Sequence, residues 1–153
     1  MNFLLCFLFL LLSLNACQQP FYSKEYKIEN SIWTYQQVVP FQWTVTDTTE
    51  VYDVRLLIKH LPDLKFQNIY VKAMTEFPDK PISEQLLSLE LLNPSGIPNG
   101  DCSGNQCEST IVLNEKIQFS ALGNFGLKIQ QHSRQDSLPG ILSLELEIIQ
   151  SIP

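Results

Sequence analysis

Apolar and polar residues alternate along much of this chain, and a period of two leaves few folds open. Over 51–60, Tyr52, Val54, Leu56 and Ile58 fall on one side, with Asp53, Arg55 and Lys59 on the other. Phe41, Trp43 and Val45 alternate with Gln42, Thr44 and Thr46. Ile69, Val71, Ala73 and Phe77 share a side opposite Tyr70, Lys72 and Glu76. Leu142, Leu144, Leu146 and Ile148 interleave with Ser143, Glu145 and Glu147. Successive side chains of a strand point to opposite faces, so each segment reads as a strand with one buried face and one wet face. Shorter strand candidates are 25–29, 109–113, 116–119 and 125–131. Turn formers separate the strands at Asp47 to Glu50, Leu61-Pro62-Asp63, Pro78-Asp79-Lys80-Pro81, Gly123-Asn124 and Leu138-Pro139-Gly140. The segment 82–92 is ambiguous: Ser83, Glu84 and Gln85 could open a helix, but Leu87, Leu89 and Leu91 alternate, and it reads as a strand. Many strands, short turns and little room for crossover helices predict an all-β fold. The expected architecture is an antiparallel β-sandwich, jelly-roll or immunoglobulin-like, of about eight strands.

The amino terminus follows a different rule. Phe3 to Leu12 form an unbroken apolar run, and Leu14 extends it past Ser13. A membrane-spanning helix needs about 20 apolar residues, so this run is too short to span but fits the core of a signal peptide. It ends in Leu14-Asn15-Ala16-Cys17, which resembles the lipobox of bacterial lipoproteins. In that motif the cysteine thiol takes a diacylglyceryl group and the peptide is cut just before it. The expected organisation is a signal peptide over 1–16, a lipidated tether over 17–23 beginning at Cys17, and a single sandwich domain over 24–153. Gln18-Gln19-Pro20-Phe21 carries no acid, whereas acid-rich runs after the lipidated cysteine resemble a surface-export signal, so the periplasmic face is expected.

Of four cysteines, Cys6 leaves with the signal peptide and Cys17 takes lipid, leaving Cys102 and Cys107 as an even pair in an exported protein. That favours a disulfide, which across so short a loop contributes only about 2 kcal/mol. The formal net charge of −6 repels phosphates, so nucleic acid is not an expected partner.

Catalytic material is sparse. The two histidines, His60 and His132, sit in no nucleophile motif: His60 reads as a hydrogen-bonded or exposed strand-end residue and His132 as solvated. Glu145 and Glu147 share a strand face opposite a leucine face and read as a solvated pair rather than an acid and base. The loop from Pro98 to Asn105 has calcium-loop ingredients without the order of acids that such a loop needs. No catalytic residue, metal site or cofactor is predicted. Among the aromatics near the start of the domain, Trp43 lies on an alternating apolar face, whereas Trp33 has no clear face and is the candidate binding residue.

The order of segments carries a resemblance. The lipobox-like start, a Trp-containing lead and Thr46-Asp47-Thr48-Thr49 before a strand come first. Asn68-Ile69-Tyr70, Phe77-Pro78-Asp79, Gly123 with Phe125, and Gln130-Gln131 follow, and Leu138-Pro139-Gly140-Ile141-Leu142 closes the series. Together they resemble the GldH-type gliding-motility lipoproteins of Bacteroidetes across nearly all of the mature chain. The resemblance implies an outer-membrane lipoprotein linked to the envelope machinery that moves adhesins and secretes proteins, with no enzymatic residues to carry over. The cysteine-bracketed loop 95–108 departs from the pattern, where a glycine-rich turn leading into an aspartate is expected. A surface-anchored carbohydrate-binding module or secreted hydrolase is the alternative; convergent acids and exposed tryptophans in a cleft would favour it.

If Cys17 carries the anchor, the Cys17→Ser protein should move from the membrane to the soluble fraction and lose labelling by palmitate analogues. Retention of both properties by that variant would refute the assignment.

Overall fold

Among the described residues the alternating segments resolve into eleven β-strands: β1 (Tyr22–Lys27), β2 (Ile32–Thr34), β3 (Val39–Val45), β4 (Tyr52–His60), β5 (Asn68–Glu76), β6 (Ser83–Glu90), β7 (Asp101–Ser103), β8 (Gln106–Ile117), β9 (Gly123–Gln131), β10 (Ser137–Pro139) and β11 (Ile141–Gln150). The structure is a computed structural model that describes residues 19–151. The expected signal peptide over 1–16 and the lipidation site Cys17 lie outside the described residues.

Three strands, β2, β7 and β10, are three residues long, and they account for the excess over the expected eight. The remaining strands form two antiparallel layers in the orders β1-β11-β4-β8 and β3-β9-β5-β6, with β7 extending the first beyond β8. The chain changes layer between β1 and β3, β3 and β4, β4 and β5, β6 and β8, β8 and β9, and β9 and β11. That interleaved order makes the sandwich a jelly roll, the first of the two expected types. Segment 82–92 is a strand, β6, as its leucines indicated.

Between the layers, Leu56 and Ile58 of β4 and Leu144, Leu146 and Ile148 of β11 face Phe41, Ile69, Val71 and Ile129 of the other sheet. Each such side chain, fully enclosed, contributes roughly 1.5–3 kcal/mol of burial free energy. One end of the sandwich is plugged by the β2–β10 ribbon, where Trp33 pairs with Leu138 and both are buried. Gly140 sits after this ribbon at φ +94, a left-handed conformation that the Pro139-Gly140 turn requires, and its N–H donates to the Ser31 carbonyl at 2.8 Å. The opposite end carries an aromatic cluster in which Phe119 stands 5.0 Å from Phe125 and 5.4 Å from Tyr52, centroid to centroid.

Three local expectations shift. β1 begins at Tyr22, inside the stretch read as tether. The candidate 109–113 and the first half of 116–119 belong to one strand, β8, which ends at Ile117 and whose register against β4 slips between Tyr52 and Val54 and again between Val54 and Arg55. At the start of β11 the register slips between Ile141 and Ser143. This places Ile141 in the core, leaves Leu142 only half-buried, and buries Ser143, whose Oγ donates to Glu25 at 2.7 Å.

Leu146 is completely enclosed, so Leu146→Asp should abolish cooperative thermal unfolding, because an unpaired buried charge costs several kcal/mol against a marginal total. Glu145→Gln, on the wet face of the same strand, should stay within about 0.5 kcal/mol of the parent. Equal loss in both variants would refute the assignment of faces.

Candidate functional site: an apolar cleft at the open edge of the sandwich

On one side of the sandwich both layers end in strands with an unpaired edge. Among the described residues, β6 pairs with β5 alone, and β8 pairs with β4 along its length but meets β7 only over 106–108. The slipped register of β8 inserts extra residues on that strand, and such bulges bend it and increase its twist. Lys116 takes φ 51 there, and its N–H donates to the Asp53 carboxylate at 2.9 Å.

Leu87 and Leu89 of β6 and Ile111, Leu113 and Ile117 of β8 line a cleft of about 530 Å³ between the two edges. Val54, Ala73 and Leu127 contribute to its walls, and Trp43, Phe77, Phe119 and Phe125 line its aromatic end. The Trp43 and Phe125 rings stack at 6.1 Å, and Phe77 meets Phe125 edge-on at 6.0 Å. Thr75, Gln85, Ser88, Asn114, Gln118 and Ser120 supply the polar lining. Among the described residues, the lining contains no Asp, Glu, His, Lys, Arg or Cys. Ser120 Oγ accepts from Lys80 Nζ at 3.1 Å, and Ser88 Oγ accepts from Asn68 Nδ2 at 2.9 Å on the outer face. What the cleft offers is apolar surface, a few neutral hydrogen-bonding groups and one further feature. Trp43 Nε1 is buried and has no hydrogen-bond partner among the described residues.

The residues singled out from sequence lie elsewhere. The candidate binding residue Trp33 has a fully buried indole that donates from Nε1 to the Gln37 carbonyl at 2.8 Å and packs in the core beside the β2–β10 ribbon. Cys102 and Cys107 form a disulfide that staples β7 to β8 in register. Cys102 is exposed and Cys107 fully buried. His60 is buried rather than exposed, with Nδ1 2.9 Å from the Leu61 carbonyl and Nε2 3.2 Å from Ser109 Oγ. His132 is exposed. No group of three or more potential metal ligands occurs among the described residues. Sequence reasoning missed the cleft because edge strands alternate weakly. Leu86, 63% exposed on the outer face, sits beside the half-buried Leu87 and blurs the period on β6. Tertiary openness of this kind leaves no local signal.

Glu145 and Glu147 lie on the outer face of the five-stranded sheet with Glu25, Lys59, Arg55 and Glu108. Glu25 accepts from Lys59 Nζ at 2.9 Å and from Ser143, and Lys59 also faces Glu108 at 3.7 Å. The Lys59 hydrogen bond first, and the Ser143 one second, hold the Glu25 carboxyl below its ordinary range. Burial, then the neighbouring Glu145, push Glu147 above it.

Fold and cleft together define a jelly-roll domain whose lateral concavity is apolar and un-ionised. Family membership follows from the sequence: the chain belongs to the GldH lipoprotein family, which matches residues 20–148. It is similar to a gliding motility lipoprotein GldH homolog of Christiangramia forsetii, 26% identical over 91% of this chain and 86% of that protein. It is also similar to gliding motility lipoprotein GldH of Flavobacterium johnsoniae, 26% identical over 85% of this chain and 81% of that protein. Among solved structures, tripeptidyl peptidase 2 aligns with TM-score 0.44 and 10% identity over 86% of this chain and 10% of its own length, too loose a likeness to bear on function.

The outer-face acids should give opposite responses to pH. A carboxyl held low by its partners stabilises the fold fully above the ordinary carboxylate range and loses that contribution as pH falls through the folded value. Glu25→Gln should therefore lower thermal stability near neutrality, by about 1 kcal/mol or less at this exposed site, with the difference vanishing in acid. Glu147 is held high, so its charge opposes folding at neutral pH and Glu147→Gln should raise stability there. Thermal melts from pH 3 to 7 would decide, and a parallel response from both variants would contradict the assigned causes.

Proposed function

We propose that the mature protein, from Cys17 onward, is held to the outer membrane by a lipid on Cys17. Facing the periplasm, it serves as a non-enzymatic component of the gliding-motility machinery and docks other envelope motility or secretion proteins. The observation that carries this reading is the cleft of about 530 Å³, whose lining among the described residues holds no ionisable side chain, so acid–base chemistry there would have to draw on a group outside it such as Lys80, whose Nζ donates to Ser120 Oγ at 3.1 Å. The names of the relatives support the motility role. The short stretch before β1, without acids, supports the periplasmic side. Removal of residues 1–16 and a short tether ahead of the sandwich belong to the same reading.

Docking surfaces are offered by the outer face of the four-stranded sheet, where Tyr70 is 47% exposed and Leu86, opposite Lys72 on β6, is also exposed. Tyr70→Ala and Leu86→Glu, introduced into a strain lacking the native gene, should leave thermal stability within about 0.5 kcal/mol of the parent. At least one outer-face substitution of this kind should impair motility while membrane attachment persists. Motility lost only in variants that also unfold would count against a docking role. Loss in a stable His132→Ala protein would favour an enzyme.

A further inference from the structure

We infer that the cleft between β6 and β8 holds one acyl chain of the lipid on Cys17, a proposal that rests on the anchoring set out above. Three observations converge on it. The first is chemical: the lining is aliphatic and aromatic with a few neutral polar groups, and about 530 Å³ lies within the roughly 300–1,000 Å³ of small-molecule sites. An apolar cavity of this kind, open along two strand edges, is filled favourably by hydrocarbon.

The second is reach. Where the described chain enters the domain, the Phe21 ring stands 4.9 Å from Tyr52 and 6.5 Å from Phe119, and Phe119 lines the cleft. Three residues separate Cys17 from Phe21, and the four steps between them span at most about 14 Å, so the lipid attachment point cannot be far from the aromatic end of the cleft. The third is a missing acceptor. Trp43, 6.1 Å from Phe119 at this same end, buries its indole N–H without a partner among the described residues, and a buried unmet donor carries a cost that an acceptor removes. Ester and amide carbonyls, which join acyl chains to a lipoprotein cysteine, are such acceptors. A cysteine bearing three chains could place one in the cleft and keep two in the bilayer, and two acyl chains suffice for stable anchoring.

The test uses the native lipoprotein in its own membranes. Cells are fed a palmitate analogue with a terminal diazirine, the membranes are irradiated, and the purified protein is mapped by mass spectrometry. The expected result is label on the Cys17 peptide, cross-linked within the same chain to peptides from 83–90 or 106–117, with most of that signal lost in Leu87→Asn. Label on Cys17 with cross-links only to phospholipid or other proteins would overturn the proposal while leaving the anchor intact. Absence of label on Cys17 would overturn both. In parallel, the Cys17→Ser protein should bind dansyl-undecanoate with sensitised emission from tryptophan, and the lipidated protein should not. Equal binding by both would mean that the cleft is free for a foreign lipid, and would also overturn the proposal.

Discussion

Everything in this fold depends on β11 lying between β1 and β4. Its Leu144, Leu146 and Ile148 are fully enclosed, and its backbone is paired along both edges, with Tyr22 opposite Ile148 on one side and Tyr52 opposite Gln150 on the other. The sheet is thus closed by joining the first strand of the domain to the last. Contacts this distant in sequence are costly to form, because loop-closure entropy is lost before burial compensates it. The sandwich cannot complete its core until the carboxy-terminal segment is available.

Much of the architecture was legible because a half-buried strand writes its burial into its sequence. β4, β5 and the later part of β11 carry their period openly, and Pro139-Gly140 marked a turn that needs positive φ. Legibility failed where one residue slips. At Ile141 to Ser143 a bulge moves the buried position by one, so Leu142 and Ser143 exchange their expected environments. It failed again for Trp33, whose burial depends on a ribbon made with Leu138, more than a hundred residues away. The disulfide was expected because Cys102 and Cys107 are the even pair left once Cys6 is assigned to a signal peptide and Cys17 to a lipid. The cleft was not, because it arises from the relation of two edge strands and from bulges on β8 rather than from any pattern within one segment.

The open edge also explains a division of labour within the surface. Exposed strand edges are sites of unwanted pairing, and β8 manages its own with two register slips and a left-handed Lys116, while β7 and the Cys102–Cys107 staple cover its first residues. The charges lie elsewhere, on the outer faces of both sheets: Glu25, Lys59 and Glu108 on the five-stranded sheet, and the Lys72–Glu84 and Lys128–Glu76 pairs on the four-stranded one. The apolar cleft is therefore set apart from the ion pairs on one small domain.

The pairing of β1 with β11 has a mechanical consequence. Six residues of β1 are in register with β11, from Tyr22 opposite Ile148 to Lys27 opposite Ser143. A force applied to the chain ahead of Tyr22 and directed along the strand axis strains this whole ladder in shear, so its hydrogen bonds resist together. The same force directed across the sheet would peel the ladder from Tyr22 one rung at a time, at much lower load. A domain tethered through this strand is thus stiff toward drag along one direction and compliant toward another, an anisotropy fixed by the angle at which β1 leaves its attachment.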